Sequence, residues 1–90
     1  MSSYLVRYVL NSPGQEYQTI IKGIQDNYPV NLHVTGGTWI VKTNSSTSDV
    51  RDTLRRYCDN NDKLIVVGLT GKWATYNFEK TTTDWLDRNL

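Results

Sequence analysis

Several groups of residues in this 90-residue chain have types and spacing that chemistry could use. Arg51, Arg55 and Arg56, with Lys63, form the best basic cluster. Arg51 and Arg55 sit at i and i+4, one face of a helix, where two guanidinium groups could grip phosphates. Lys72, Trp73 and Tyr76 are the one place where aromatic and basic residues interleave, and an unpaired base could stack on Trp73. Asp49, Asp52, Asp59 and Asp62 could supply oxygen ligands to a hard cation. His33 is the one side chain whose unperturbed pKa lies near neutrality, the property of a general base.

Each group also has a plainer reading. Asp52 lies among the arginines and can pair with Arg55 or Arg56, which makes that cluster an ordinary solvated face. Asp49 suits a helix cap, and Asp59 and Asp62 suit a helix exit. No carboxylate adjoins His33 to orient it, so a surface histidine bonded to a neighbour is the favoured reading. Lys72 and Trp73 fit a tail docked on a sheet or on a second subunit. Cys58, on a buried helical stripe, reads as an inert core thiol, and Trp39 and Trp85 as packing residues.

Whole-chain properties narrow the field. Ninety residues make one domain, 1–90, with a modest core. The formal net charge of +1 and a pI near 7.8 give little support to binding a long nucleic-acid backbone by counterion release. One cysteine excludes an internal disulfide, and one cysteine with one distant histidine argues against a soft-metal site, so no cofactor is expected. Met1-Ser2-Ser3 leads straight into a patterned strand, predicting no signal peptide. No apolar run has bilayer length, so no membrane partner and a cytoplasmic location are expected. Three Trp and six Tyr against one Phe favour edges and interfaces over a small dry core, which makes a homodimer attractive.

The elements that would position these residues follow from periodicity. Tyr4, Val6, Tyr8 and Leu10 share one face of a first strand, while Leu5, Arg7 and Val9 share the other. The second set predicts a dimer or tail-packing surface. Asn11-Ser12-Pro13-Gly14 marks a turn. Tyr17, Ile20, Ile21, Ile24 and Tyr28 predict a helix from about Gln15 to Tyr28, ended by Pro29. Val30, Leu32 and Val34 predict a second strand, Gly36-Gly37 a hairpin turn, and Thr38 to Thr43 a third strand. Ser46 with Asp49 predicts the start of a second helix, whose buried stripe is Val50, Leu54, Tyr57 and Cys58. Lys63 to Leu69 is nearly all apolar and predicts a fourth strand covered on both faces. Gly71 to Phe78 reads as a short fifth strand, and Thr83 to Leu90 as a terminal helix with acids in its first turn.

The fold class predicted is α+β: a ferredoxin-like βαββαβ sandwich with a short extra C-terminal strand and helix. Both crossovers put the helices on one sheet face and leave the other to be covered. An RNA-recognition motif shares this order, but Thr35 to Lys42 lacks the paired aromatics its third strand requires.

Three stretches together resemble the CRISPR-associated Cas-two superfamily, especially its small stand-alone SinR-like members. They are Tyr4 to Leu10 with the Pro-Gly turn, Gly37 to Thr43, and Asn61 to Gly71. The resemblance implies a ferredoxin-like monomer that pairs about a two-fold axis. Some relatives are metal-dependent nucleases using an Asp after the first strand; others are non-catalytic scaffolds. Val9 stands where that Asp aligns, and a valine can neither bind Mg²⁺ nor act as a base. Three readings follow. The first is a non-catalytic binding or scaffold dimer, nucleic-acid associated through Arg51, Arg55, Lys72 and Trp73. The second is a metal-dependent nuclease whose acid comes from elsewhere, and the third a protein-interaction module with no nucleic-acid role.

Overall fold

The computed structural model describes residues 1–11 and 17–90. The turn expected at Ser12-Pro13-Gly14 and the helix start at Gln15 lie outside the described residues. Seven elements follow in order: β1 (Ser2–Val9), α1 (Tyr17–Asn27), β2 (Asn31–Thr35), β3 (Thr38–Thr43), α2 (Thr47–Arg55), β4 (Lys63–Gly68) and α3 (Lys80–Asn89). The strands form one four-stranded sheet in the order β2-β3-β1-β4, with every neighbouring pair antiparallel. This is an α+β architecture.

Alternation along the strands divides the sheet into two faces. Val6 lies opposite Trp39 on one side and Val66 on the other, and Tyr4 lies opposite Val41. With Tyr8 these residues meet Ile20 and Ile24 of α1 and Val50 and Leu54 of α2 in a single core. Ile20 and Ile24 recur at helical spacing, and Gly23 between them lets the Tyr57 ring approach the α1 backbone. The Asn27 side-chain amide donates to the Gly23 carbonyl at 2.8 Å and to the Tyr57 hydroxyl at 3.2 Å, which ties the end of α1 to the turn that follows α2. Pro29 follows at once and stops the helix.

Ser46 caps α2 as its sequence predicts: its hydroxyl accepts from the Asp49 N–H at 3.1 Å. The β2–β3 hairpin turns at Gly36-Gly37, with Gly36 at φ +46°. The Gly37 carbonyl accepts from the Tyr8 N–H at 2.9 Å, so the hairpin tip lies directly against the end of β1. A Cβ at Gly37 would run into the Tyr8 carbonyl oxygen. Gly37→Ala is therefore expected to cost about 2 kcal/mol by overpacking against backbone. Chemical denaturation checks this against Gly68→Ala, whose added methyl meets nothing within 4 Å and should leave stability unchanged or slightly raised.

Three expectations need correction. No fifth strand forms: Gly71 to Phe78 is irregular, with Gly71 at φ +91° and Asn77 at φ +63°, values an extended strand does not hold. The terminal helix starts earlier, at Lys80, and has no acid in its first turn; Asp84 instead pairs with Lys80 one turn back at 2.8 Å. β4 is not covered on both faces. It is an edge strand whose Ile65 and Val67 are exposed.

Candidate functional site

The face of the sheet away from α1 and α2 carries a continuous apolar row across all four strands. Leu32 lies opposite Ile40, Ile40 opposite Leu5, and Leu5 opposite Val67. The chain's own tail covers the β2–β3 end of this row. Trp73, Phe78, Leu86 and Leu90 converge there on Leu5, Leu32, Val34 and Ile40 around a cavity of about 200 Å³. Leu86 is the one buried side chain of α3.

The tail stops short of β4. Val9, Ile65 and Val67 are 46%, 55% and 44% exposed, and all three belong to the uncovered half of the same face. Arg7 lies opposite Ile65 in register but its guanidinium is turned toward Gly37, and Val9 lies opposite Lys63, so the patch is apolar with a lysine at its end. The expected trio of Leu5, Arg7 and Val9 is thus divided. Leu5 packs against the tail, Val9 faces outward beside β4, and the exposed Arg7 turns its guanidinium toward Gly37 at the hairpin tip.

Among the described residues, no strand pairs with the outer edge of β4. Leu69 N–H donates to the Ser3 carbonyl at 2.9 Å, in step with the register that sets Tyr4 opposite Gly68. Because antiparallel pairing alternates, the odd-numbered residues direct their backbone groups to β1. The N–H and C=O groups of Leu64, Val66 and Gly68 therefore point outward. No proline or bulge interrupts Lys63 to Gly68, and Lys63 is its one charge.

The basic and aromatic residues singled out from sequence do not form one surface. Arg51 and Arg55 lie on α2, on the helix side of the sheet, and both reach Asp52, at 3.0 Å and 3.9 Å. The Arg51 hydrogen bond holds the Asp52 carboxyl below its usual range, and the charges of Arg51, Arg55 and Arg56 add to it against a smaller opposing desolvation. Lys72 and Trp73 belong to the tail on the opposite face of the sheet.

His33 is held in a structural setting. Its ring stacks on Trp39 with centroids 4.2 Å apart, and Nε2 lies 2.7 Å from the Gly36 carbonyl, so it locks the hairpin from outside. Asp62 is the carboxylate fixed to the end of β1: Oδ1 accepts from the Asn11 N–H at 2.9 Å and Oδ2 from the Asp59 N–H at 2.7 Å. These bonds fasten the α2 exit to β1. Among the described residues, no three His, Cys, Asp or Glu side chains gather as a metal-binding group. No described helix is long and apolar enough to cross a membrane.

Cys58 is half-buried, with Sγ 3.7 Å from the Leu54 carbonyl. Burial pushes its thiol pKa up, and the charges of Asp62 and Asp59 push the same way. The thiolate is the reactive form. Iodoacetamide is therefore expected to alkylate Cys58 several-fold more slowly at pH 8 than it alkylates a free cysteine, with the gap closing in denaturant. Mass spectrometry of timed samples reads this.

The site missed by sequence reasoning is the β4 edge together with Ile65 and Val67. Its signal is the unbroken apolar run Leu64-Ile65-Val66-Val67, which reads equally well as a central strand. No protein-family model, curated protein or solved structure matches the chain.

Proposed function

We propose that this chain is a non-catalytic, Cas-two-like pairing module of ferredoxin-like fold that works as a homodimer joined along β4. The strand order β4-β1-β3-β2, all antiparallel and with α1 and α2 on one face, supports the ferredoxin-like assignment. The cytoplasmic setting expected from the sequence belongs to the same reading. One observation carries the pairing: an unbroken, outward-facing β4 edge lies beside exposed Ile65 and Val67. Such an edge is a template for another strand, and exposed β-branched side chains beside it add apolar area to what pairing buries.

Two-fold symmetry limits how two copies can pair. Residues directly opposite in an antiparallel ladder share a face, so paired residue numbers must have an even sum. The register centred on Val66 satisfies this and engages the whole strand. It sets Val66 against the second copy's Val66 and Ile65 against the second copy's Val67. The outward backbone groups of Leu64, Val66 and Gly68 then find partners, and the sheet runs on at twice the width.

The non-catalytic part rests on Val9 and on Asp62. The side chain at the end of β1 that faces the open surface is apolar, and the nearby carboxylate already accepts two backbone N–H groups. Sedimentation equilibrium, with RNA and DNA hydrolysis assayed in Mg²⁺ and Mn²⁺, tests the proposal. The expected result is a species of twice the 10.4 kDa chain mass and no cleavage. A persistent monomer, or robust cleavage lost on changing a carboxylate, would overturn it. A tight, salt-sensitive shift of oligonucleotide mobility would favour a nucleic-acid-bound form of the same module.

A further inference from the structure

We infer that α3 is a guard on the second edge of the sheet: seated on β2, it closes that edge to strand addition, so that the chain offers another copy β4 and not β2. The sheet order puts β2, like β4, at an edge with no strand beyond it among the described residues. The Lys42 N–H donates to the Val30 carbonyl at 2.9 Å, and Leu32 lies opposite Ile40, so Val30 and Leu32 direct their backbone groups to β3. The N–H and C=O groups of Asn31 and His33 therefore point away from the sheet. β2 is also blunted by its own sequence. Pro29, two residues before Asn31, has no N–H to offer, and the register slips between His33 and Thr35. These features shorten the edge but leave the stretch from Asn31 to His33 open.

Apolar side chains make the two edges alike. Leu32 and Val34 stand beside the β2 edge as Ile65 and Val67 stand beside the β4 edge, all on the open face. The tail makes the difference. Ile65 and Val67 stay exposed, whereas Leu32 and Val34 are partly buried, with Thr82 and Leu86 of α3 against them. β2 is the strand that α3 packs against most. A helix with its side chains is about 10–12 Å across, whereas an added strand would lie only about 4.8 Å beyond β2. A helix seated on β2 therefore reaches over the place where that strand's side chains would stand. Strand addition at β2 requires α3 to leave, and at β4 it does not. A guarded β2 ends the pairing proposed above at two copies, but the guard itself does not depend on how β4 is used.

The test takes β4 out of play. An Ile65→Lys, Val67→Lys chain, with charges beside its β4 edge, should sediment as a monomer of 10.4 kDa. Adding Leu86→Asp, which removes the one buried side chain of α3, should raise the mass toward twice that value as concentration increases. Leu86→Ala loosens the same anchor without a charge and should do so to a smaller extent. Asn31→Pro deletes an outward N–H and leaves the bonds to β3 in place, so it should return the Leu86→Asp chain to monomer. No association on loosening α3 would overturn the inference. So would association that Asn31→Pro leaves unchanged, since the bared apolar face and not the edge would then join the copies. Pairing of the doubly lysine-substituted chain that Asn31→Pro abolishes would show β2 to be open already. Loss of the folded sheet in both Leu86 variants, read by circular dichroism, would make α3 part of the core and not a cover, and would overturn the inference too. A wild-type chain that sediments as a monomer would contradict the β4 pairing alone and leave these outcomes unaffected.

Discussion

Placing lysine at both exposed β4 positions, Ile65→Lys with Val67→Lys, is expected to raise the dimer dissociation constant at least about a hundredfold while leaving the monomer folded. Both side chains lie about half exposed in the single chain, so pairing would bury the remaining half of each. Four such side chains per dimer, at roughly 0.7–1 kcal/mol apiece, give about 3–4 kcal/mol of apolar burial. That corresponds to a factor of at least about a hundred in the dissociation constant. In the register centred on Val66, the introduced lysine at 65 would also face the second copy's lysine at 67, a like-charge pair that destabilises further. Within the monomer neither side chain joins the core around Val6, Trp39 and Leu54, and the cost there should stay within about 1 kcal/mol. Sedimentation velocity across a concentration series reads the first quantity, and dilute denaturant melts read the second.

Leu86→Asp is expected to release the tail without unfolding the sheet. α3 is anchored by one buried side chain, Leu86 at 5% exposure, and makes few other contacts with the sheet. An aspartate there must either be buried without a partner or carry the helix off the surface. The second is the cheaper outcome, since burying a lone carboxylate costs several kcal/mol. The 71–79 segment should then be cut by chymotrypsin tens of times faster, at Trp73, Tyr76 or Phe78, while the cooperative melt of the rest persists. Leu54→Ala makes the contrast. Leu54 is fully buried where α2 meets the sheet, and its truncation should cost about 3 kcal/mol of global stability. A chain of this length holds only about 5–13 kcal/mol in total, so that loss is large. Equal global losses for the two variants would show the tail to be part of the main cooperative unit instead.

The parts of this architecture that the sequence makes legible are the local ones. Period-two alternation in Tyr4 to Leu10 separates the core face from the open face. Helical spacing in Ile20 and Ile24, and in Val50 and Leu54, marks the stripes that meet it. Ser46 announces its helix because capping is chemistry between residues three apart. The errors fall where the answer depends on distant chain. Lys63 to Leu69 has the composition of a strand covered on both sides, and its hydrophobicity does not reveal that no strand lies beyond it. Gly71 to Phe78 has strand-like residues, but it reaches the sheet across a face, where no backbone ladder is offered. Leu5 and Val9 look alike in sequence, and only the reach of the tail decides that one is covered and the other is not. Arg51 with Arg55, and Lys72 with Trp73, end on opposite faces for the same reason.

Disulfide trapping at the open face asks whether two copies pair along β4. In a Cys58→Ser background, Ile65→Cys and Val67→Cys chains are mixed in equal amounts, oxidised and resolved on a non-reducing gel with mass analysis. With β4 paired about Val66, position 65 of one copy lies opposite position 67 of the other at a Cα separation of about 4.5 Å, inside the range a disulfide spans. Like positions would lie on a diagonal about 7–8 Å apart. The expected product is a covalent dimer that is mainly the mixed 65–67 species, with each variant alone cross-linking poorly. Self-linking of each variant as readily as mixed linking, or no covalent dimer from a chain sedimenting at 10.4 kDa, would contradict it.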